Sequence, residues 1–165
     1  MKKNVSPTPA EWRAAMGYFP TGVTIVTAWQ NGEPVGSTVS AFTSVSLVPA
    51  MLLICLDQTS ILLDPIRNSG KFGVNMLDID SHELAMRFGV GPLEGRFENC
   101  GHRCVGDGAP QLDIAPVFID CDLDNCVEAG DHFVLIGRGL RIEHTAATPP
   151  LLYHKGKFPR PWPQS

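Results

Sequence analysis

The chain has 165 residues, 44% hydrophobic and 18% charged, with a net charge of −4 at pH 7. That length suits a single domain over residues 1–165 with a real core, and the acidic balance excludes the basic footprint that nucleic-acid binding needs. No apolar run approaches the roughly 18 residues of a membrane span, and the start, Met1 to Pro9, has two lysines but no apolar stretch behind them, so it does not read as a signal peptide.

Thr8-Pro9-Ala10-Glu11 predicts a capped helix with proline in its first turn, carrying Trp12, Ala15, Met16 and Phe19 on one face and ending at Pro20 and Gly22. Gly22 to Trp29 is β-branched and predicts a strand. Asn31-Gly32 predicts a hairpin turn into a second strand that runs across a hydroxyl-rich stretch until Pro49 breaks it. Met51 to Leu56 is a continuous apolar run and predicts a buried strand. Asp64-Pro65 and Gly70 bound a short helix holding Ile66, and Lys71 to Leu77 returns as a strand. Asp80 to Glu83 has capping-box spacing before a helix with Leu84, Ala85 and Phe88 on one stripe.

Gly89 to Pro116 reads as a long glycine-rich loop, of the kind that is usually functional or mobile. Val117 to Asp124 alternates as a half-exposed strand, Ala129 to His132 is a turn, and Phe133 to Ile142 is the next strand. Pro149-Pro150 opens a tail. Ile25, Val26, Leu53, Ile54 and Leu135 read as core. About six strands with hairpin connections and few helices predict a mainly β fold, a small closed or partly open barrel with peripheral short helices.

The stretch Gly36 to Ser46 holds Ser37, Thr38, Ser40, Thr43, Ser44 and Ser46. Small hydroxyls and backbone amides at that density can hold a phosphate without positive charge, although a plain Ser/Thr-rich strand edge looks the same. No Walker-type loop is present, and Gly89-Val-Gly91 follows a helix rather than a strand, so it is no dinucleotide fingerprint. Five cysteines without an export signal suit the reduced thiols of a cytoplasmic chain. Cys100-Gly-His102-Arg-Cys104 lacks a second pair, so it reads as a loop with two thiols and no metal is expected.

Phe19-Pro-Thr-Gly-Val-Thr-Ile-Val-Thr27, the stretch Ser37 to Ser46, Phe72-Gly-Val-Asn75, Gly130-Asp-His132 and Pro150-Leu-Leu-Tyr153 with Gly156 occur in one order. That ordered set, covering about residues 10 to 158, resembles the short-chain flavin reductases, the reductase components of two-component flavin-dependent monooxygenases. The resemblance implies an FMN-binding split β-barrel, a homodimer, and reduction of FMN or FAD by NADH or NADPH for a partner monooxygenase. It assigns the flavin ring edge and ribityl phosphate to Thr38, Val39, Ser40, Ala41, Ser44 and Ser46, with Ser60 as a further phosphate ligand. Phe72 and Asn75 match a strand near the flavin. Arg96 and Phe97 match a mobile pair at the cofactor mouth. His132 falls on the nicotinamide side as the catalytic candidate, and Tyr153 joins the cofactor-binding set.

The Ser40 and Ala41 amides are the candidates for stabilising charge on the reduced ring. Val48-Pro49-Ala50 departs from the family's Asp-Pro-Pro, and Trp162 in the tail Lys157 to Trp162 has no assigned role. Two other readings stay open: another split-barrel flavoenzyme with tightly held FMN, of the pyridoxamine-phosphate-oxidase or ferric-reductase kind, and a flavin carrier or sensor without turnover.

Overall fold

The computed structural model describes residues 6–145 and 148–159; the opening lysine pair and Trp162 lie outside them. Helix α1 (Pro9–Met16) starts as its sequence demands. The Thr8 hydroxyl accepts from the Glu11 amide, and the Glu11 carboxylate accepts from the Thr8 amide at 2.8 Å. Its apolar residues bury nothing in this chain: Trp12 is 59% exposed and Met16 50%, and Phe19, just past its end, is 73% exposed.

Strands β1 (Thr21–Gly22), β2 (Thr24–Gln30) and β3 (Glu33–Val39) follow, with Asn31 and Gly32 both at positive φ (54° and 86°) as a tight hairpin requires. The hydroxyl-rich stretch is not one strand. It is the end of β3, a break at Ser40 and Ala41, and then β4 (Phe42–Leu47). A hairpin through the cis Val48–Pro49 peptide leads to β5 (Ala50–Asp57). There Leu52, Ile54 and Leu56 point inward. Leu53, read as core, lies half-buried on the opposite face, because neighbouring strand residues alternate.

Helix α2 (Leu63–Ser69) stops at Gly70, whose φ of 69° is the left-handed cap, and β6 (Lys71–Met76) returns. Helix α3 (His82–Gly89) buries Leu84, Ala85 and Phe88 as expected, but its capping box does not form; the Ser81 hydroxyl donates to Asp78 Oδ1 at 2.6 Å instead. The expected long loop carries two short paired strands, β7 (His102–Arg103) and β8 (Gln111–Leu112), and packs as a strap. Strands β9 (Val117–Ala129) and β10 (His132–His144) run well beyond the expected bounds, and β11 (Leu152–Tyr153) pairs with β1.

The main sheet has seven antiparallel strands in the order β3-β2-β6-β9-β10-β5-β4. Its two edges, β3 and β4, are consecutive in the chain. A flat sheet at about 4.8 Å per strand would separate its edges by roughly 29 Å. Val39 and Phe42 are three Cα steps apart, at most about 11 Å. The sheet must therefore curl on itself, and Ser40-Ala41 bridges the seam.

Inside the curl lie Val26, Ile54, Leu56, Leu62, Ile66 and Phe72. Outside it, α3 and the strap cover β2 with a second cluster around Ile25, Leu84, Phe88 and Leu112. Two residues of the expected cofactor set, Phe72 and Asn75, have their side chains inside these clusters. Phe72 is fully buried in the inner core, its ring filling the space over Gly137, where a Cβ would come within 2.4 Å. Asn75 is fully buried on the other face of β6. Its amide donates to Ile25 O (3.0 Å) and Thr27 Oγ1 (3.2 Å) and accepts from Leu112 N (2.8 Å). Thr27 Oγ1 donates to Pro110 O, Trp29 Nε1 to Gly108 O, and Ala109 N to Asp120 Oδ1. These bonds satisfy the strap's backbone and hold it down.

Asn75→Ala strands the Leu112 N–H in the interior. It should lower the unfolding free energy by about 2–4 kcal/mol in urea titration, while flavin affinity of the folded protein stays within about twofold. Wild-type stability would contradict the fastening role.

Candidate functional site

The seam link presents unused donors. The Ser40 carbonyl accepts from Phe42 N (3.1 Å) and the Ala41 carbonyl from Cys55 N (2.9 Å), but neither residue's own amide donates to an acceptor among the described residues. The hydroxyls around them divide by role. Thr38 Oγ1 donates to Ala85 O at 2.6 Å and Ser37 Oγ to Phe88 O, which fastens β3 to α3. Val39 turns its side chain into the inner core. The hydroxyls of Ser40, Ser44 and Ser46 make no such bond among the described residues; Thr43 alone in β4 donates, weakly, to Ser44 O.

Two cavities adjoin this region. The larger, about 1150 Å³, is walled by Ser40, Ala41, Met16, Phe19 and Tyr153, with Tyr18 beneath the Lys155 ammonium at 3.5 Å. Tyr153 is held there by β11 pairing with β1 and by its ring contact with Phe158. The smaller, about 620 Å³, is walled by Gly36, Gln58, Ser60, Arg67, Arg96 and Phe97. Gly36 and Ser40 are four residues apart, about 13 Å if extended, so β3 and the link that follows it serve both.

The turn after β5 is fixed by Asp57, whose carboxylate accepts from the Thr59 hydroxyl (2.6 Å) and amide (2.7 Å); these bonds hold its pKa below the usual carboxylate range. Ser60 Oγ accepts from Leu62 N, which leaves its O–H free to donate.

Arg96 is only 8% exposed. Its guanidinium donates to Gly36 O (2.8 Å), Gly91 O (2.8 Å) and Pro92 O (3.1 Å). These three bonds anchor it to β3 and to the start of the strap. Burial pushes its pKa down. Phe97 stands edge-on to Phe88 (5.0 Å) and His102 (5.4 Å). Gly36 leaves them room, since a Cβ there would lie 2.8 Å from the Phe88 ring.

His132 lines neither cavity. It opens β10 opposite Asp57, with Nδ1 2.7 Å from Asp131 Oδ1, while Asp131 O accepts from Gln58 N at 3.0 Å. It thus stands one residue from the wall of the smaller cavity. The fold brings Ser40, Ala41 and Tyr153 together, and separately Ser60, Arg96 and Phe97; Phe72 and Asn75 belong to neither. Arg67, Gln58 and Tyr18 escaped the sequence reading. Asp64 and Arg67, three apart in α2, share a helix face and both line the smaller cavity, so that spacing was the available signal.

Unbonded amides, free hydroxyls and a buried cation beside apolar walls suit a ligand with a flat ring and an anionic tail. Residues 16–161 match the model of the flavin reductase like domain. The chain belongs to that family.

A flavin reductase of Pseudomonas putida is 34% identical over 151 residues, covering 91% of this chain and 88% of that one. A probable flavin reductase of Rhizobium meliloti is 37% identical over 138 residues, 83% of this chain, but this match spans only 44% of that protein. Among solved structures, the NADH:FAD oxidoreductase of Streptomyces globisporus superposes with a TM-score of 0.88 at 30% identity over 99% of both chains. The mainly β fold is that of the split-barrel flavin reductases.

The two kinds of hydroxyl predict different losses. Thr38→Val should cost about 1 kcal/mol of stability by removing the tie to α3. Ser40→Ala should change stability by less than about 0.5 kcal/mol and weaken flavin binding. Denaturant titration and flavin titration of both variants check this.

Proposed function

We propose that this chain is a single-domain NAD(P)H:flavin oxidoreductase that passes reduced FMN or FAD to a separate monooxygenase. The observation that carries the reading is the pair of unbonded amides at Ser40 and Ala41, on the wall of an apolar cavity large enough for a flavin ring. Backbone donors preset by the barrel stabilise negative charge without reorganising. The bound cofactors supply the chemistry, a hydride passing from nicotinamide C4 to flavin N5, and the protein's part is to align the rings. The names of relatives support the partner: one from Rhodococcus opacus is the reductase component of a 4-nitrophenol monooxygenase.

In this reading Ser40, Ala41, Ser44 and Ser46 hold the flavin, Ser60 its phosphate, and Tyr153 closes the ring cavity. Thr38 and Val39 contribute backbone only. His132, beside Gln58, contacts the nicotinamide nucleotide. Five free thiols and the demand for NAD(P)H suit the cytoplasm. No helix among the described residues is long and apolar enough to cross a membrane.

A second copy of the chain completes the enzyme. Trp12 and Met16 on α1, Phe19 just after it, Leu47 and Val48 at the β4–β5 tip, and Leu140 and Ile142 on β10 are all exposed apolar side chains, Leu47 and Val48 at 88% and 92%. Patches of this kind mark interaction surfaces. Met16 and Phe19 also line the ring cavity, so a partner seated there would shield it from water.

NADH and NADPH oxidation should be slow without flavin and fast with added FMN or FAD. A yellow protein that oxidises neither would favour the carrier. His132→Ala should raise KM for NAD(P)H by roughly tenfold, the worth of one good polar contact, and leave flavin affinity within about twofold; equal loss of both would sink the assignment. Val48→Asp should convert a dimer to monomers in sedimentation velocity, and a wild-type monomer with full activity would refute the dimer.

A further inference from the structure

Two cations line the larger cavity, Arg13 from α1 and Lys155 from the turn after β11. No carboxylate lines that cavity among the described residues, and neither cation enters an ion pair there. In a chain of net charge −4, this wall is positive. Lys155 is held at three points. Its amide donates to Gly17 O at 3.2 Å. It forms, with Gly156, a two-residue turn closed by His154 and Lys157, at φ 49° and 76°. Its ammonium lies 3.5 Å from the centre of the Tyr18 ring. A left-handed φ is easy for glycine and unfavourable for lysine. Tyr18 is 71% exposed, so the stacked pair adds nothing to the core. What the pair does is hold a charge at a fixed place on the wall that Ser40 and Ala41 share.

The Ser40 and Ala41 amides stabilise a negative ring, but an N–H donates to a neutral carbonyl as well. A net cation separates the two cases further, because it acts on the ligand's whole charge. The hydride that leaves nicotinamide C4 for flavin N5 carries two electrons and one proton, so the nicotinamide ring is left cationic and the flavin ring gains one negative charge. We propose that Lys155, seated on Tyr18 and with Arg13 on the same wall, is a specificity-determining residue that makes the larger cavity hold the reduced, anionic flavin ring more tightly than the oxidised, neutral one. The ligand's identity rests on the flavin reductase reading above; the charge selection rests on the two cations and the carboxylate-free wall.

The test is anaerobic titration of the full chain with riboflavin and with FMN, each oxidised and dithionite-reduced, for wild type, Lys155→Met, Lys155→Arg and Arg138→Met. Riboflavin has the ring without the phosphate, so it separates ring charge from tail charge. Lys155→Met keeps an apolar stem over Tyr18 and removes the ammonium. Arg138 pairs with Asp124 at 2.8 Å and lies outside both cavity walls. Wild type should bind both reduced flavins more tightly than the oxidised ones. Lys155→Met should lose about fivefold in affinity for both reduced flavins, the upper end for an exposed charge pair, and stay within about twofold for the oxidised ones. For a two-electron couple a tenfold change is about 30 mV, so that loss lowers the potential of the bound flavin by about 20 mV. Lys155→Arg should keep the wild-type selectivity because it keeps the charge, and Arg138→Met should leave it unchanged.

Equal losses for oxidised and reduced FMN, with none for riboflavin, would set Lys155 against the phosphate and overturn the proposal. So would a Lys155→Met protein, folded by circular dichroism, that keeps full selectivity, a loss that Lys155→Arg shares, or a wild type that binds neither redox state. Flavin-dependent NAD(P)H oxidation alongside any of the first three results would leave the reductase reading intact. Selection of reduced flavin that depends on Lys155, in a protein that oxidises neither NADH nor NADPH, would sink the reductase reading and leave the charge selection standing.

Discussion

The short link between the two edge strands constrains everything else. Because β3 and β4 are joined by Ser40 and Ala41 alone, the seven-stranded sheet has no choice but to curl. Curling brings both edges to one place, and an edge is where backbone N–H groups lack a strand partner. The fold therefore concentrates unmet hydrogen-bonding capacity at the one point where closure is made by covalent chain rather than by a ladder. A ligand that accepts hydrogen bonds can take the place of the missing strand.

The rest of the molecule keeps that seam in position. β2 is buried on both faces, against the inner core on one side and α3 with the strap on the other. The strap is long and glycine-rich, yet Asn75, Thr27, Trp29 and Asp120 answer its backbone groups one by one. Arg96 extends the same logic to the cavity, since its carbonyl partners belong both to β3 and to the strap. A cation that would be costly alone ties two elements together and leaves its charge available.

The sequence revealed the fold class through local signals: the Asn31-Gly32 turn, the Thr8 to Glu11 box, and Gly70 as a helix stop all act within a few residues. It misled where the deciding partner is distant. Phe72-Gly-Val-Asn75 carried no sign that both named side chains are buried, because whether a strand faces a seam or a core depends on its place in the sheet order, which no local pattern encodes. Leu53 sits in an unbroken apolar run, so alternation was hidden; it is half-buried because it lies on the face of β5 opposite the inner core. The seam itself was half legible. Its hydroxyls were visible in the composition, but not that some fasten α3 while others stay free, because Ala85 and Phe88 lie some fifty residues along the chain.

The unbonded main-chain amides at Ser40 and Ala41 have a consequence for how such a protein tolerates change. An N–H belongs to every residue except proline, so the chemistry at the link does not depend on which side chains occupy it. A scan by alanine would pass over Ala41 in silence and report Ser40 only through its hydroxyl. The link can thus drift widely in sequence while keeping its donors, and its importance becomes visible only when the amide itself is removed.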